Sequence, residues 1–228
     1  MRIKHMGKIR AVIFDMDGVI FDSERVLMEI WGELSEKYDI RDFQIPYRMC
    51  IGVNAKKTRQ IMLDFYGPDF PYDKYEREQS AIYHERYDHG KLPLKPGIRE
   101  LLTFLKEQKL QCAVASSTRL KVVEDQLKAA DLYDYFDRIT GGDKVTHSKP
   151  HPEIFLTTAE ALNVPPENCA VIEDSHFGIR AAFAAGMAPI MVPDLLPDNE
   201  EMHEKAVCVR KDLFEVKQYL LKTGGELS

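Results

Sequence analysis

The chain of 228 residues has no apolar stretch long enough to span a bilayer, no CxxC pair and no basic run. The first absence excludes a transmembrane helix, which needs about 20 consecutive apolar residues. The start, Met1 to Lys8, is charged and has no apolar h-region, so no signal peptide is expected. The four cysteines, Cys50, Cys112, Cys169 and Cys208, lie far apart, which fits a reducing cytoplasm. Cys112 and Cys169 sit inside apolar runs and read as small core residues. With a formal net charge of -6, neither nucleic acid nor an anionic membrane is expected as the main partner. Repeats and low-complexity segments are also missing, and no GxGxxG follows the first strand, which argues against a dinucleotide-binding domain. What remains is an ordinary soluble globular composition, 44% hydrophobic and 30% charged. Its length suits one large domain, or a core with a smaller insert.

One stretch stands out, Val12-Ile13-Phe14-Asp15-Met16-Asp17-Gly18-Val19. Its apolar run reads as a buried parallel strand, because both faces are apolar. Asp15 and Asp17 fall where the strand stops, and in open α/β sheets ligands bind at the carboxyl ends of strands. Two acids one residue apart can hold a hard cation and leave a carboxylate free to act. The plainer alternative is a turn, which Asp and Gly favour.

After this stretch Ser23 can cap a helix on which Val26, Leu27, Ile30, Trp31, Leu34 and Tyr38 fall at helical spacing. Asn54 can cap a second helix burying Thr58, Ile61, Met62 and Phe65, which Gly67-Pro68 ends. A third is expected over 72–87, with Tyr75, Ile82 and Tyr83. From residue 23 to 89 the pattern is therefore helical, with no strand signal. Strands then alternate with helices: strands over 110–115, 136–140, 169–172, 189–192 and 206–209, and helices opening at Pro96-Gly97, over 120–130, 152–162 and 179–185, and at the end. Gly224-Gly225 begins a frayed tail. The alternation predicts an α/β fold with a Rossmann-like parallel sheet and right-handed crossovers. Residues 1–22 and 90–228 form its core, and 23–89 an inserted all-helical cap domain entered and left near 21–23 and 90–93.

Three further strand ends carry polar groups. Ser116-Ser117-Thr118-Arg119 before a helix offers hydroxyls and N–H groups for a phosphate, or a helix cap from Ser117 or Thr118. Lys149 in Ser148-Lys149-Pro150-His151-Pro152 can neutralise a phosphate or a carboxylate; Lys144 is its rival. His147 and His151 have no metal-ligand spacing with any Cys or other His, so a loop role is expected. Glu173-Asp174-Ser175 places two acids at the end of a buried strand, where a cation is their natural partner unless Asp174 or Ser175 caps the following helix. All four elements fall at carboxyl ends of one sheet.

In these four motifs the chain resembles the haloacid dehalogenase superfamily of phosphotransferases, in the branch with a helical cap after the first motif. Phe14-Asp15-Met16-Asp17-Gly18-Val19 matches the first motif, Ala115-Ser116-Ser117 the second, Lys149-Pro150 the third and Ile172-Glu173-Asp174-Ser175 the fourth. The likeness is greatest to phosphoglycolate phosphatases and β-phosphoglucomutases. It implies Asp15 as a nucleophile forming an aspartyl phosphate, and Asp17 as general acid and base. It implies Mg²⁺ held by the side chains of Asp15 and Asp174 and the backbone carbonyl of Asp17, with Glu173 as a further ligand or orienting ligated water. Ser116 and the N–H groups of Met16 and Ser117 would hold the phosphoryl oxygens, and Lys149 would balance charge. Asp17 favours phosphoryl transfer over carbon–halogen cleavage.

The expected function is thus a Mg²⁺-dependent phosphatase of a small phosphorylated metabolite such as a sugar phosphate. The alternatives are a β-phosphoglucomutase-type mutase and a non-catalytic sugar-phosphate-binding regulator. Against the mutase, Leu27 stands where that enzyme has a histidine, and Gly52-Val53 is followed by Asn54-Ala55 and not by its arginine. Lys56 or Lys57 can serve instead, and Arg119 can reach a substrate oxygen. A monomer is the default.

Overall fold

The computed structural model describes residues 8–88 and 91–223. Most of the charged start, part of the expected linker at 90–93 and the Gly224-Gly225 tail lie outside the described residues. The strands β1 (Ala11–Phe14), β2 (Gln111–Ala115), β3 (Arg138–Thr140), β4 (Cys169–Glu173), β5 (Ala188–Met191) and β6 (Cys208–Val209) form one parallel sheet, ordered β3-β2-β1-β4-β5-β6. The α/β architecture read from the sequence is therefore the one observed. The order reverses between β1 and β4, and such a switch point opens a crevice at the carboxyl ends of the strands.

Burial explains why β1 is central. Alternate side chains of a strand point to opposite faces. Val12 and Phe14 join one apolar cluster, Ala11 and Ile13 another, and all four are fully buried. Helices α5 (Ile98–Glu107), α6 (Leu120–Ala129) and α10 (Leu213–Thr223) supply Leu101, Leu105, Val123, Leu127 and Val216 to the first cluster. Helices α7 (Glu153–Leu162) and α8 (His176–Ala184) supply Phe155, Ala159 and Ala181 to the second. Short α9 (Glu200–Lys205) buries Met202 against Met191. Cys112 and Cys169 are buried and unpaired.

Register brings the strand ends level. Phe14 pairs with Val114 of β2 and with Ile172 of β4. The residues that follow, Asp15, Ala115 and Glu173, therefore leave the sheet at one height, and the Asp15 N–H donates to the Ile172 carbonyl (3.0 Å).

Between β1 and α5 the described residues form helices α1 (Ser23–Tyr38), α2 (Gln44–Cys50), α3 (Ala55–Tyr66) and α4 (Tyr72–Tyr87), with no named strand among them. Trp31 is their centre. It packs edge-on to Tyr47 (4.9 Å between ring centroids) and to Tyr75 (5.5 Å), and its indole N–H donates to Gln79 Oε1 (2.6 Å). Such pairs are favourable beyond their buried area by about 1 kcal/mol. Asn54 caps α3 as expected, accepting from the Lys57 N–H.

Four sequence expectations need correction. Asp22, not Ser23, is the N-cap of α1; the Ser23 hydroxyl turns inward to Asp17. Phe65 is not buried but 40% exposed. Helix α2 was not separately expected, being short and interrupted by Pro46. The strand expected over 136–140 begins only at Arg138, because a 3₁₀ turn (Tyr133–Tyr135) precedes it and the Asp137 carboxylate is held by the Cys112 N–H (2.9 Å). Among the described residues no helix is long and apolar enough to cross a membrane.

Candidate active site

The crevice holds a dense charged cluster. Lys149 is 4% exposed, and its ammonium donates to Asp15 Oδ1, to Glu173 Oε1 (2.6 Å) and to the Ala115 carbonyl (3.4 Å). Burial works against its charge, but the Asp15 and Glu173 carboxylates outweigh that and hold it above the ordinary lysine range. The rival Lys144 is exposed and stands 3.8 Å from Asp143.

One ammonium does not neutralise this site. Carboxylate oxygens of Asp15, Glu173 and Asp174 lie within 4.8 Å of one another, and all three residues are buried. Burial pushes the Asp15 carboxyl well up; Lys149 opposes, while Glu173 and Asp17 add to the rise. Asp174 is also pushed well up, by burial and then by the charges of Glu173, Asp15, Glu24 and Asp194. A buried set of hard oxygen donors with surplus negative charge fits a divalent cation. Gly18 has φ +77°, and a Cβ there would run into the Asp174 carboxylate. The turn after Asp17 thus needs glycine both for its backbone and to leave Asp174 its place.

Helix α8 presses on the same cluster. Ser175 is its N-cap and accepts from the Gly178 N–H (3.0 Å). Its own N–H and hydroxyl donate to Glu173 Oε2 (2.9 and 3.0 Å). Capping thus falls to Ser175, which leaves Asp174 to the cluster. A Cβ on Gly178 would overlap the Glu173 carboxylate.

Asp17 is set apart. Its Oδ1 accepts from the Ser23 hydroxyl (2.7 Å) and its Oδ2 from the Thr118 hydroxyl (3.1 Å). Burial raises its pKa, and these two hydroxyls only partly offset that. The carboxyl therefore favours holding a proton more than a free aspartate does.

The loop after β2 is arranged without capping α6 by its own hydroxyls. Arg119 occupies the N-cap position, and the Leu120 N–H donates to Asp143 Oδ1 (2.7 Å). Ser116 is fully buried; its hydroxyl accepts from the Thr118 N–H (3.0 Å) and its N–H donates to the Thr140 carbonyl (3.0 Å). Ser117, Thr118 and Arg119 line a cavity of about 400 Å³, together with Asp15, Asp17, Lys149 and Asp174. Met16 and Ser116 are buried at its base and do not line it. Lys56 does not line it either; it is exposed beside Lys57 and Ser148 on an adjacent groove.

Helices α1 to α4 close the cavity from the other side. Gly52 (φ +78°) comes so near α8 that a Cβ there would sit 2.7 Å from Ser175 Oγ, and Asn54 donates to Ser148 Oγ (3.1 Å). Glu24 and Tyr47, which sequence reasoning missed, meet on this wall: the Tyr47 hydroxyl reaches Glu24 Oε2 (2.8 Å) and the Glu24 carbonyl (2.5 Å). Burial, then the Asp17 charge, push the Glu24 carboxyl up to about 8, although the Tyr47 hydroxyl opposes the rise.

His147 and His151 lie in the loop, as expected, but are closer together than their spacing suggests. Their rings lie 4.5 Å apart, and the fold brings both beside Glu153. Glu153 is already engaged: it accepts from the Thr146 N–H (2.8 Å), from the His147 N–H (2.8 Å) and faces His147 Nδ1 (2.7 Å). The trio clamps the loop that carries Lys149.

This geometry agrees with the comparisons to known proteins. Residues 12–192 match the family model of the haloacid dehalogenase-like hydrolases. A phosphorylated carbohydrates phosphatase of Thermotoga maritima is 35% identical over 184 residues, 80% of this chain and 84% of that protein. Hexitol phosphatase B of Escherichia coli is 32% identical, covering 82% of this chain and 84% of its own. Among solved structures, a β-phosphoglucomutase of Clostridium difficile superimposes with a TM-score of 0.75 at 28% identity, covering 95% of this chain and 97% of that one. The chain belongs to the haloacid dehalogenase-like hydrolase family.

Proposed function

We propose that the protein is a Mg²⁺-dependent phosphomonoester hydrolase of a small phosphorylated metabolite such as a sugar phosphate. The observation that carries this reading is the division of labour between two acids of one motif. Asp15 sits with Lys149, Glu173 and Asp174, whereas Asp17 is held apart by Ser23 and Thr118. Residues 23–89 act as a cap over the strand ends of a core formed by the rest.

The side-chain oxygens of Asp15 and Asp174, the Asp17 backbone carbonyl and, as a further ligand or through ligated water, Glu173 would hold the cation. When bound, Mg²⁺ supplies positive charge against the repulsion between a carboxylate and a phosphate dianion. Asp15 attacks phosphorus, and the P–O bond to the leaving alcohol breaks, giving an aspartyl phosphate. Asp17 gives its proton to the departing alkoxide. It then takes one from the water that attacks the aspartyl phosphate, which frees inorganic phosphate and restores Asp15. Lys149, fixed between Asp15 and Glu173, holds Asp15 in one orientation and balances charge. Ser116, Ser117 and the N–H groups of Met16 and Ser117 serve the phosphoryl oxygens. Closure of the cap keeps bulk water away during transfer.

The test is turnover of p-nitrophenyl phosphate with Mg²⁺. Asp15→Asn and EDTA are each expected to remove it, by at least about a thousandfold for the variant. Undiminished activity of folded Asp15→Asn protein sinks the mechanism. The likeness to a β-phosphoglucomutase favours a second reading, a phosphosugar mutase. Turnover of glucose 1-phosphate, measured by coupled production of glucose 6-phosphate with added bisphosphate and far exceeding hydrolysis, would make it the better one.

A further inference from the structure

We infer that the substrate carries one anionic group only, its phosphoryl group, and that the alcohol released is uncharged and rich in hydroxyls, with Glu24 and Glu76 setting this choice. The inference rests on the phosphatase reading above and concerns the far wall of the same cavity.

Among the described residues, helices α1 to α4 and their loops contribute two acids to that wall, the half-buried Glu24 and the exposed Glu76, and no lysine or arginine. The cavity's two cations both come from the sheet side. Lys149 is spent on Asp15 and Glu173. Arg119 is exposed and follows directly on the loop assigned to the phosphoryl group. Lys56 and Lys57, which follow the wall residue Ala55, line an adjoining groove that shares Val53, Asn54 and Lys149 with the cavity. A second phosphate or a carboxylate reaching the wall would give up part of its water shell and find no cation there to replace it, which costs far more than an unused hydroxyl pocket.

The wall's polar groups suit hydroxyls instead. Glu24 offers carboxyl oxygens already oriented by Tyr47 (2.8 Å), and Gln79 offers an amide whose Oε1 is fixed by the Trp31 indole (2.6 Å). Thr58 and Tyr72 add hydroxyls. Glu24 brings no positive charge in either protonation state: ionised it accepts from a hydroxyl, and protonated it both donates and accepts, as a polyol hydroxyl does. Leu27 and Val122 give apolar surface for the C–H face of a polyol. About 400 Å³ accommodates a hexitol-sized alcohol.

The experiment compares kcat/KM of the Mg²⁺-loaded protein for sorbitol 6-phosphate and glucose 6-phosphate with those for 2-phosphoglycolate and fructose 1,6-bisphosphate. p-Nitrophenyl phosphate runs alongside. In parallel, calorimetry measures binding of the same four compounds to Asp15→Asn protein. The neutral-alcohol esters are expected to lead by at least about tenfold in both assays. Glu76→Lys, and Glu24→Gln more weakly, should shift the ratio of anionic to neutral substrates toward the anionic ones. Equal or better use of phosphoglycolate or the bisphosphate by a protein that hydrolyses p-nitrophenyl phosphate overturns the inference alone. An unchanged ratio in both variants also overturns it. Failure with p-nitrophenyl phosphate strikes the phosphatase reading itself, and the inference falls with it.

Discussion

The cavity has two unlike halves. Its floor, at the ends of β1 and β4, crowds Asp15, Glu173 and Asp174 around one lysine, and the spacing is imposed by strand register. Its far wall, on α1 to α4, is aromatic and polar with unlike neighbours meeting through helix packing, as Glu24 meets Tyr47 across 23 residues of chain. The floor is electrostatically overdetermined: each side chain there makes sense only with the others present. The wall is permissive, since its groups are mostly satisfied among themselves. A parallel sheet buried on both faces admits little change, whereas helices α1 to α4, which lie outside the sheet, can exchange side chains without moving the strand ends. One half therefore fits a fixed chemistry and the other a selectable substrate.

The sharpest way to break this contrast is to remove the lysine. Lys149→Met leaves a buried cluster of carboxylates without its cation, and losing one partner of such a group typically costs about 3–5 kcal/mol. Urea unfolding should show a loss of that order in EDTA. Saturating Mg²⁺ should recover more stability in the variant than in the wild type. Equal Mg²⁺ effects on both proteins would mean that the acids do not share a cation site.

Next in size is Gly18→Ala. The alanine must adopt φ +77° and its Cβ must displace Asp174. Backbone strain of this kind costs on the order of 1–3 kcal/mol. Mg²⁺ affinity, read by calorimetry, should fall together with the unfolding midpoint. Gly67→Ala is the control, because Gly67 has a similar φ of +97° and nothing within 4 Å. It should lose stability and keep its Mg²⁺ affinity.

The last test concerns the wall. Glu24 ionises near its ordinary 4.5 in the unfolded chain and at about 8 in the folded one. Between those values the folded state keeps a proton that the unfolded state has released, so this group's contribution to stability falls as pH rises. Glu24→Gln, which cannot ionise, should gain on the wild type progressively from about pH 4.5 to 8 and no further above it. Denaturant midpoints across that range decide it; a constant difference would show that Glu24 titrates normally.

Much was legible along the chain because it is written in local signals. Apolar runs marked β1, β2, β4 and β5, and the polar residues that follow them are near neighbours in sequence, so Asp15, Asp17, Lys149, Glu173 and Asp174 could be singled out before any fold was known. Asn54 as a cap and Gly67 as a stop were equally local. Other features had no such signal. Ser23 reads as a helix cap, yet in the structure it faces Asp17; Thr118 reads as part of a phosphate-binding stretch or as a helix cap, yet it holds the other oxygen of the same carboxylate. His147, His151 and Glu153 match no ligand spacing and still converge. Lys56 looks like a substrate contact by position, yet it lines an adjoining groove and not the cavity itself. Residue order settles what a strand or helix is, because backbone propensity and apolar period act over a few residues. Which side chains meet across the crevice is decided only when helices and sheet have packed, since those contacts join segments tens of residues apart and depend on the angle at which each element arrives.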